Sequence, residues 1–190
     1  MPRLALFASG NGSNAQRIVE YVTGHPSVSV EIILCNHPGA YVLTRAENLG
    51  VPAILFDRET FYGTDYIPRL LADKRIDYLV LAGFLWLIPP AILQAFPGRI
   101  INIHPALLPK YGGKGMYGER VHRAVIEAGE VESGITIHLV NERYDEGKIL
   151  FQARCPVEPG DTPESLAARV HALEYAHYAV EIEKWLTNDN

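Results

Sequence analysis

The sequence predicts an α/β fold: a mostly parallel central sheet with helices on both faces and an antiparallel extension toward the C-terminus. Three observations predict it. Short apolar runs alternate with amphipathic helical stretches through the first hundred residues, the pattern of βαβ units joined by right-handed crossovers. Runs such as residues 77–83 are apolar almost throughout rather than alternating, as in strands covered on both faces. After about residue 118 the order becomes helix, strand, strand, helix, with one acidic turn between the two late strands.

Taken in order, residues 3–8 form the first strand. Gly10-Asn11-Gly12-Ser13-Asn14 follows as a tight turn, and Ile18, Val19 and Val22 at helical spacing announce a helix. Residues 28–35 make the second strand and end in the turn Asn36-His37-Pro38-Gly39. A helix over about 42–49 stops at Gly50, and residues 53–56 form a short third strand. A helix near 63–75 leads into the strand at 77–83. Pro89 and Pro90 open a short helix, where a missing N–H leaves no bond unmade. The fifth strand begins at Ile100 and ends just past His104, because Pro105 cannot donate to a ladder and Pro109 opposes a helix. A loop then covers 105–118, a helix about 118–128, and strands lie near 134–140 and 149–155. Asp161-Thr162-Pro163-Glu164 caps a long final helix, with aspartate or threonine as N-cap. The whole is a Rossmann-like arrangement.

With 190 residues, 48% of them hydrophobic, the chain can bury one substantial core, and 1–190 reads as a single domain. A net charge of −5 without any Lys/Arg block gives no support to nucleic acid or an anionic membrane as main partner, and none is expected. Cys35 and Cys155 stand alone in apolar runs, which points to a reduced, cytoplasmic protein. No apolar run reaches membrane-spanning length, and Leu4–Ala8 is too short for the core of a signal peptide.

The chemistry concentrates in Ile100-Ile101-Asn102-Ile103-His104. Asn102 and His104 stand two apart on a strand, so both project from one face, at the carboxyl edge where open parallel sheets bind ligands. Two desolvated polar groups together need partners that an apolar core does not supply. An amide beside an imidazole suits an oxyanion forming as a carbonyl goes tetrahedral, and thus acyl-type chemistry without a protein nucleophile. In the turn Glu142-Arg143-Tyr144-Asp145-Glu146-Gly147, Glu142 and Glu146 read as solvated. Asp145 is the carboxylate whose placement matters, and the turn is expected to join two strands lying beside the fifth. His138 reads as a supporting neighbour of the site. His25, His37, His122, His171 and His177 lack metal-ligand spacing, read as surface or structural, and no catalytic metal is expected.

The glycine loop admits two functional readings. Gly10-x-Gly12-x-x-Ala15 matches the dinucleotide fingerprint, yet Cys35-Asn36-His37 stands where an acid for a ribose belongs. Alternatively, backbone N–H groups and Ser13 at a helix N-terminus form a phosphate site. A tight turn with no ligand is the plain structural alternative.

These motifs, with Leu81-Ala82-Gly83-Phe84, Asn102-Ile103-His104-Pro105-Ala106-Leu107-Leu108-Pro109-Lys110-Tyr111 and Asp145 before Gly147, resemble the phosphoribosylglycinamide formyltransferase family over nearly the whole chain. The fifth-strand motif is shared by the wider formyltransferase superfamily, and the glycine loop narrows the resemblance. The resemblance implies a purine-biosynthetic enzyme that moves a formyl group from 10-formyltetrahydrofolate, as co-substrate, to the amine of glycinamide ribonucleotide. It implies Asn102, His104 and Asp145 as the catalytic trio, with Asn102 and protonated His104 on the oxyanion and Asp145 holding the imidazolium. Gly12, Ser13 and Asn14 would bind the phosphate and Glu174 the ribose. Leu85, Trp86, Leu87, Ile88, Asn102, Asn141 and Tyr144 would line the folate pocket. Three features depart from the family pattern: Leu85-Trp86 replaces a common Met-Arg, the loop 112–118 is longer and richer in glycine, and Arg58 stands at a different offset from the folate-side arginine that follows the third strand in some members. Two rival readings are a nicotinamide-dependent oxidoreductase and a non-catalytic folate- or phosphate-binding module.

Overall fold

The computed structural model describes residues 1–25 and 28–188. In chain order the elements are β1 (Arg3–Ala8), α1 (Ser13–Val22), β2 (Ser29–Cys35), α2 (Val42–Leu49), β3 (Ala53–Leu55), α3 (Arg58–Gly63), α4 (Tyr66–Asp73), β4 (Tyr78–Leu81), α5 (Pro90–Ala95), β5 (Ile100–His104), α6 (Glu119–Glu127), β6 (Glu132–Leu139), β7 (Ile149–Pro156) and α7 (Pro163–Asn188). The strands form one sheet in the order β3-β2-β1-β4-β5-β6-β7. The first five are parallel, and β6 and β7 extend the sheet antiparallel, as the sequence predicts.

Two details differ from expectation. The stretch expected as one helix near 63–75 is preceded by the separate helix α3. Asp57 initiates it by accepting the Thr60 N–H at 2.8 Å, and the extended residue Thr64 (φ −131°) separates it from α4. Of the two late strands β6 lies beside β5 and β7 pairs with the outer side of β6, so the acidic turn does not join two neighbours of the fifth strand.

Alternation along the strands divides the core into two layers. Leu4, Leu6, Ile33, Val80, Ile101 and Ile103 face α1 and α7, where Ile18, Val22, Val170 and Ile182 complete the layer. Phe7, Ile32, Leu34, Leu79, Leu81 and Ile100 face the other way, onto Phe61, Ile67, Leu71 and Ile92 of α3, α4 and α5. Asn102 and His104 share the parity of Ile100 and so belong to this second face. The fully buried Tyr178 ties α7 to the end of β4, its hydroxyl donating to the Leu81 carbonyl at 2.9 Å. The strand order reverses between β1 and β4, and such a switch point opens a crevice at the carboxyl ends of the strands.

Candidate active site

That crevice is a cavity of about 610 Å³, walled by the loops that follow β1, β4 and β5, by the β6–β7 connection, and by α6 and α7. The volume lies in the range of small-molecule sites. Asn102 and His104 meet there on the shared face of β5. Asn102 sits opposite His138 in the β5–β6 register, and its Nδ2 lies 3.2 Å from His138 Nε2. His138 Nδ1 faces the Leu139 carbonyl at 2.9 Å and carries the proton there. That contact holds the ring with Nε2 turned toward Asn102.

His104 is almost fully buried, with Nε2 donating to the Tyr111 carbonyl at 2.7 Å and Nδ1 3.4 Å from Asp145 Oδ2. Asp145 bridges both histidines: its Oδ1 is 3.5 Å from His138 Nε2, and Oδ2 also accepts the Gly113 N–H at 2.9 Å. It reaches this position because the chain turns back along β5. Val140 donates to Ile100 O at the start of that strand, and five residues later Asp145 is at its end. Tyr111 and Asp145 both hold positive φ (57°), so the two residues that bracket His104 sit in conformations that cost energy and are held by their surroundings.

The glycine-rich loop 112–118 supplies Asp145's anchor. A Cβ on Gly112 would lie 2.5 Å from Leu108 Cδ2 and 3.1 Å from Asp145 Cβ, so a larger residue there has to displace the Leu108 side chain and crowd Asp145. Burial is the largest influence on His104 and lowers its pKa; Asp145 and the Tyr111 carbonyl pull it upward without cancelling the shift. For Asp145, burial alone would raise the carboxyl. His138, His104 and the Gly113 N–H outweigh it and leave the pKa below the ordinary value. The resting site therefore holds a carboxylate beside an imidazole that is easier to deprotonate than usual.

At one end of the cavity lies the glycine loop. Helix α1 begins there with no side-chain cap and no acidic residue in its first turn, so its leading N–H groups are left for a ligand. Asn14 Nδ2 donates to Glu174 Oε2 at 2.8 Å, and Asn14 Oδ1 is buried with no hydrogen-bond partner among the described residues. Burial raises Glu174's pKa, against the pull of the Asn14 amide. Toward the β4 loop the wall turns apolar. Trp86 packs with Phe56, Phe61, Tyr62 and Phe84 at centroid distances of 5.8 to 6.3 Å, and Arg58 lies 5.7 Å over the Trp86 ring. Leu85 is pinned by its N–H to Ser9 Oγ, and the Leu87 carbonyl by the Tyr62 hydroxyl.

The structure thus brings Gly12, Ser13, Asn14, Leu85, Trp86, Leu87, Ile88, Asn102, His104, Tyr144, Asp145 and Glu174 around one cavity. Asn141 is not on its wall; its Oδ1 accepts the Arg143 N–H at 2.9 Å and shapes the turn instead. His122 and His171, expected at the surface or in structural roles, both line the cavity, with His122 only 1% exposed. A buried position on the α6 face shared by Val121 and Val125 was the available signal for His122. The carbonyl of Tyr111 and the N–H of Gly113 carry no signal in sequence.

Residues 2–182 match the family model described as formyl transferase. The chain is 44% identical over 182 residues to the chloroplastic phosphoribosylglycinamide formyltransferase of Arabidopsis thaliana, covering 93% of this chain and 62% of that protein. The chain thus spans less than two thirds of the length of this plant relative. It is 38% identical over 192 residues to the phosphoribosylglycinamide formyltransferase of Haemophilus influenzae, covering 98% of this chain and 88% of the relative. The crystal structure of phosphoribosylglycinamide formyltransferase from Bacillus halodurans superposes with a TM-score of 0.88 at 34% identity, over 99% of this chain and 97% of that one. By family model, sequence and fold, the chain belongs to the formyl transferase family, in its phosphoribosylglycinamide formyltransferase branch.

Proposed function

We propose that the chain, with residues 1–190 working as one unit in the cytoplasm, transfers the formyl group of 10-formyltetrahydrofolate to the amine of glycinamide ribonucleotide in purine biosynthesis. The observation that carries this reading is Asp145 bridging His104 and His138, with Asn102 fixed beside them, in a cavity whose one end is an uncapped helix N-terminus and whose other wall is aromatic. The helix end, with Gly12, Ser13 and Asn14, suits the ribonucleotide phosphate, and Glu174 suits the ribose hydroxyls. Trp86 and its neighbours offer flat apolar area to the rings of the folate.

The substrate amine attacks the formyl carbon, and the carbonyl electrons move onto its oxygen. Asn102 and His104 stabilise that oxyanion. Burial keeps His104 neutral in the resting site. An oxyanion forming beside it adds a second negative charge to that of Asp145 and favours the imidazolium when it is needed. The proton lost by the amine is passed, with Asp145 and His104 as relays, to the folate nitrogen as the carbon–nitrogen bond breaks. The products are formylglycinamide ribonucleotide and tetrahydrofolate. His104 and Asp145 titrate as a coupled pair in this scheme.

The test mixes purified protein with 10-formyltetrahydrofolate, with and without glycinamide ribonucleotide, and follows tetrahydrofolate. Release that requires the ribonucleotide supports the transferase. Equal release in its absence assigns a deformylase, and no release under either condition leaves a binding protein. A nicotinamide reaction would be revealed by saturable NAD or NADP binding.

A further inference from the structure

The glycine loop is gripped from behind by α2. Three successive loop carbonyls are each committed away from the cavity: Gly10 O accepts the Val42 N–H at 3.1 Å, Asn11 O accepts Arg45 Nε–H at 2.8 Å, and Gly12 O accepts the Gln16 N–H at 2.9 Å. Arg45 also donates through its second arm to Asn11 Oδ1 at 2.7 Å and through its third nitrogen to Gln16 Oε1. Its guanidinium lies 4.8 Å over the Tyr41 ring, which holds the fork in place. Asn11 lines the cavity and Arg45 does not. The cation therefore stands on the outer side of the loop whose inner side carries the free N–H groups.

We infer that Arg45 is a positioning residue of the phosphate site: it draws both oxygens of Asn11 outward and backs the loop with a positive charge, so that the loop presents N–H groups alone to a phosphate. A loop that binds an anion through its backbone must keep its own oxygens off the ligand. Val42 and Gln16 do this for Gly10 and Gly12 through main-chain bonds, which survive most substitutions. Asn11 alone depends on a side chain. A planar fork with fixed donor directions can take the carbonyl and the amide oxygen together, and an ammonium cannot reproduce that geometry. This inference rests on the glycine loop being the phosphate end of the site proposed above.

The test uses Arg45→Met and Arg45→Lys in the full chain, with inorganic phosphate as the binding probe and steady-state kinetics alongside. Arg45→Met is expected to weaken phosphate binding and to raise KM for glycinamide ribonucleotide, each by about tenfold, with kcat and KM for the formyl donor within about twofold of wild type. Arg45→Lys keeps the charge and loses the fork, and should fall between, at about threefold. Unchanged phosphate affinity in Arg45→Met overturns the inference, and so does a parallel loss in kcat and donor KM, which would mark a general structural role. If Arg45→Met does not fold, Arg45→Gln takes its place, removing the charge and the fork, and an unchanged ribonucleotide KM there overturns it too. Wild-type protein that binds phosphate without transferring a formyl group sinks the proposed reaction and leaves Arg45 to be judged on phosphate binding. Wild type that binds no phosphate sinks both.

Discussion

Lowering the pH from about 7.5 to about 5 should remove about 2 kcal/mol of stability through one side chain, His122. Burial, then the nearby rings of His171 and His104, push its pKa from 6.5 down to about 4, and its Nδ1 has no hydrogen-bond partner among the described residues. A histidine whose folded pKa lies below its unfolded one binds fewer protons when folded. Its contribution is complete above the unfolded value of 6.5, fades as pH falls through the interval, and is gone below about 4. Over the full interval the difference between 6.5 and about 4 corresponds to about 3 kcal/mol, of which about 2 kcal/mol is lost by about pH 5. Urea unfolding of wild type and His122→Leu at both pH values reads this directly, as long as the slope of the transition is unchanged. Wild type should lose about 2 kcal/mol more than the variant between the two conditions. Equal losses would refute the argument, and would mean that His122 is protonated in the folded protein or reaches solvent.

Asn102→Ala removes an oxyanion donor and should lower kcat by roughly two to three orders of magnitude, with the fold intact by circular dichroism; a folded variant above about a tenth of wild-type turnover would exclude that role. Gly12→Ala places a Cβ 2.3 Å from Val42 Cγ2 on a residue with φ +75°, so α1 and α2 must separate. Thermal melting should show a loss of about 2 kcal/mol, and KM for the ribonucleotide should rise about tenfold, whereas a wild-type melting curve would contradict the packing. Trp86→Ala should raise KM for the formyl donor about tenfold and leave that for the ribonucleotide alone, because the ring packs with Phe56, Phe61, Tyr62 and Phe84 rather than with the glycine loop. A rise in ribonucleotide KM instead would reverse the assignment of the two ends.

Much of the fold is legible because local rules and packing agree. The apolar runs at 3–8 and 77–83 fit buried strands, and the observed β1 and β4 are central in the sheet. Gly50 ends α2 in the left-handed conformation at φ 68°. Thr162 caps α7 by accepting the Ser165 N–H at 3.2 Å. The break between α3 and α4 was less legible, since Asp57 and Thr64 are compatible with either one helix or two.

Sequence by itself determined the α/β class, the pairing of Asn102 and His104 on one face of β5, and a glycine turn leading into a helix N-terminus. All three follow from the period of a strand or from backbone sterics, which act within a few residues. Tertiary structure alone decided what those groups touch. Asp145 meets His104 because the β6–β7 connection doubles back along β5 and because Gly112 leaves room for it. His122 is brought into the cavity by the packing of α6 on the rest of the fold, and the loop oxygens of Asn11 are turned outward by an arginine 34 positions away. Each of these contacts joins residues whose separation in sequence has no fixed geometric meaning, so only the packed fold could set their distances.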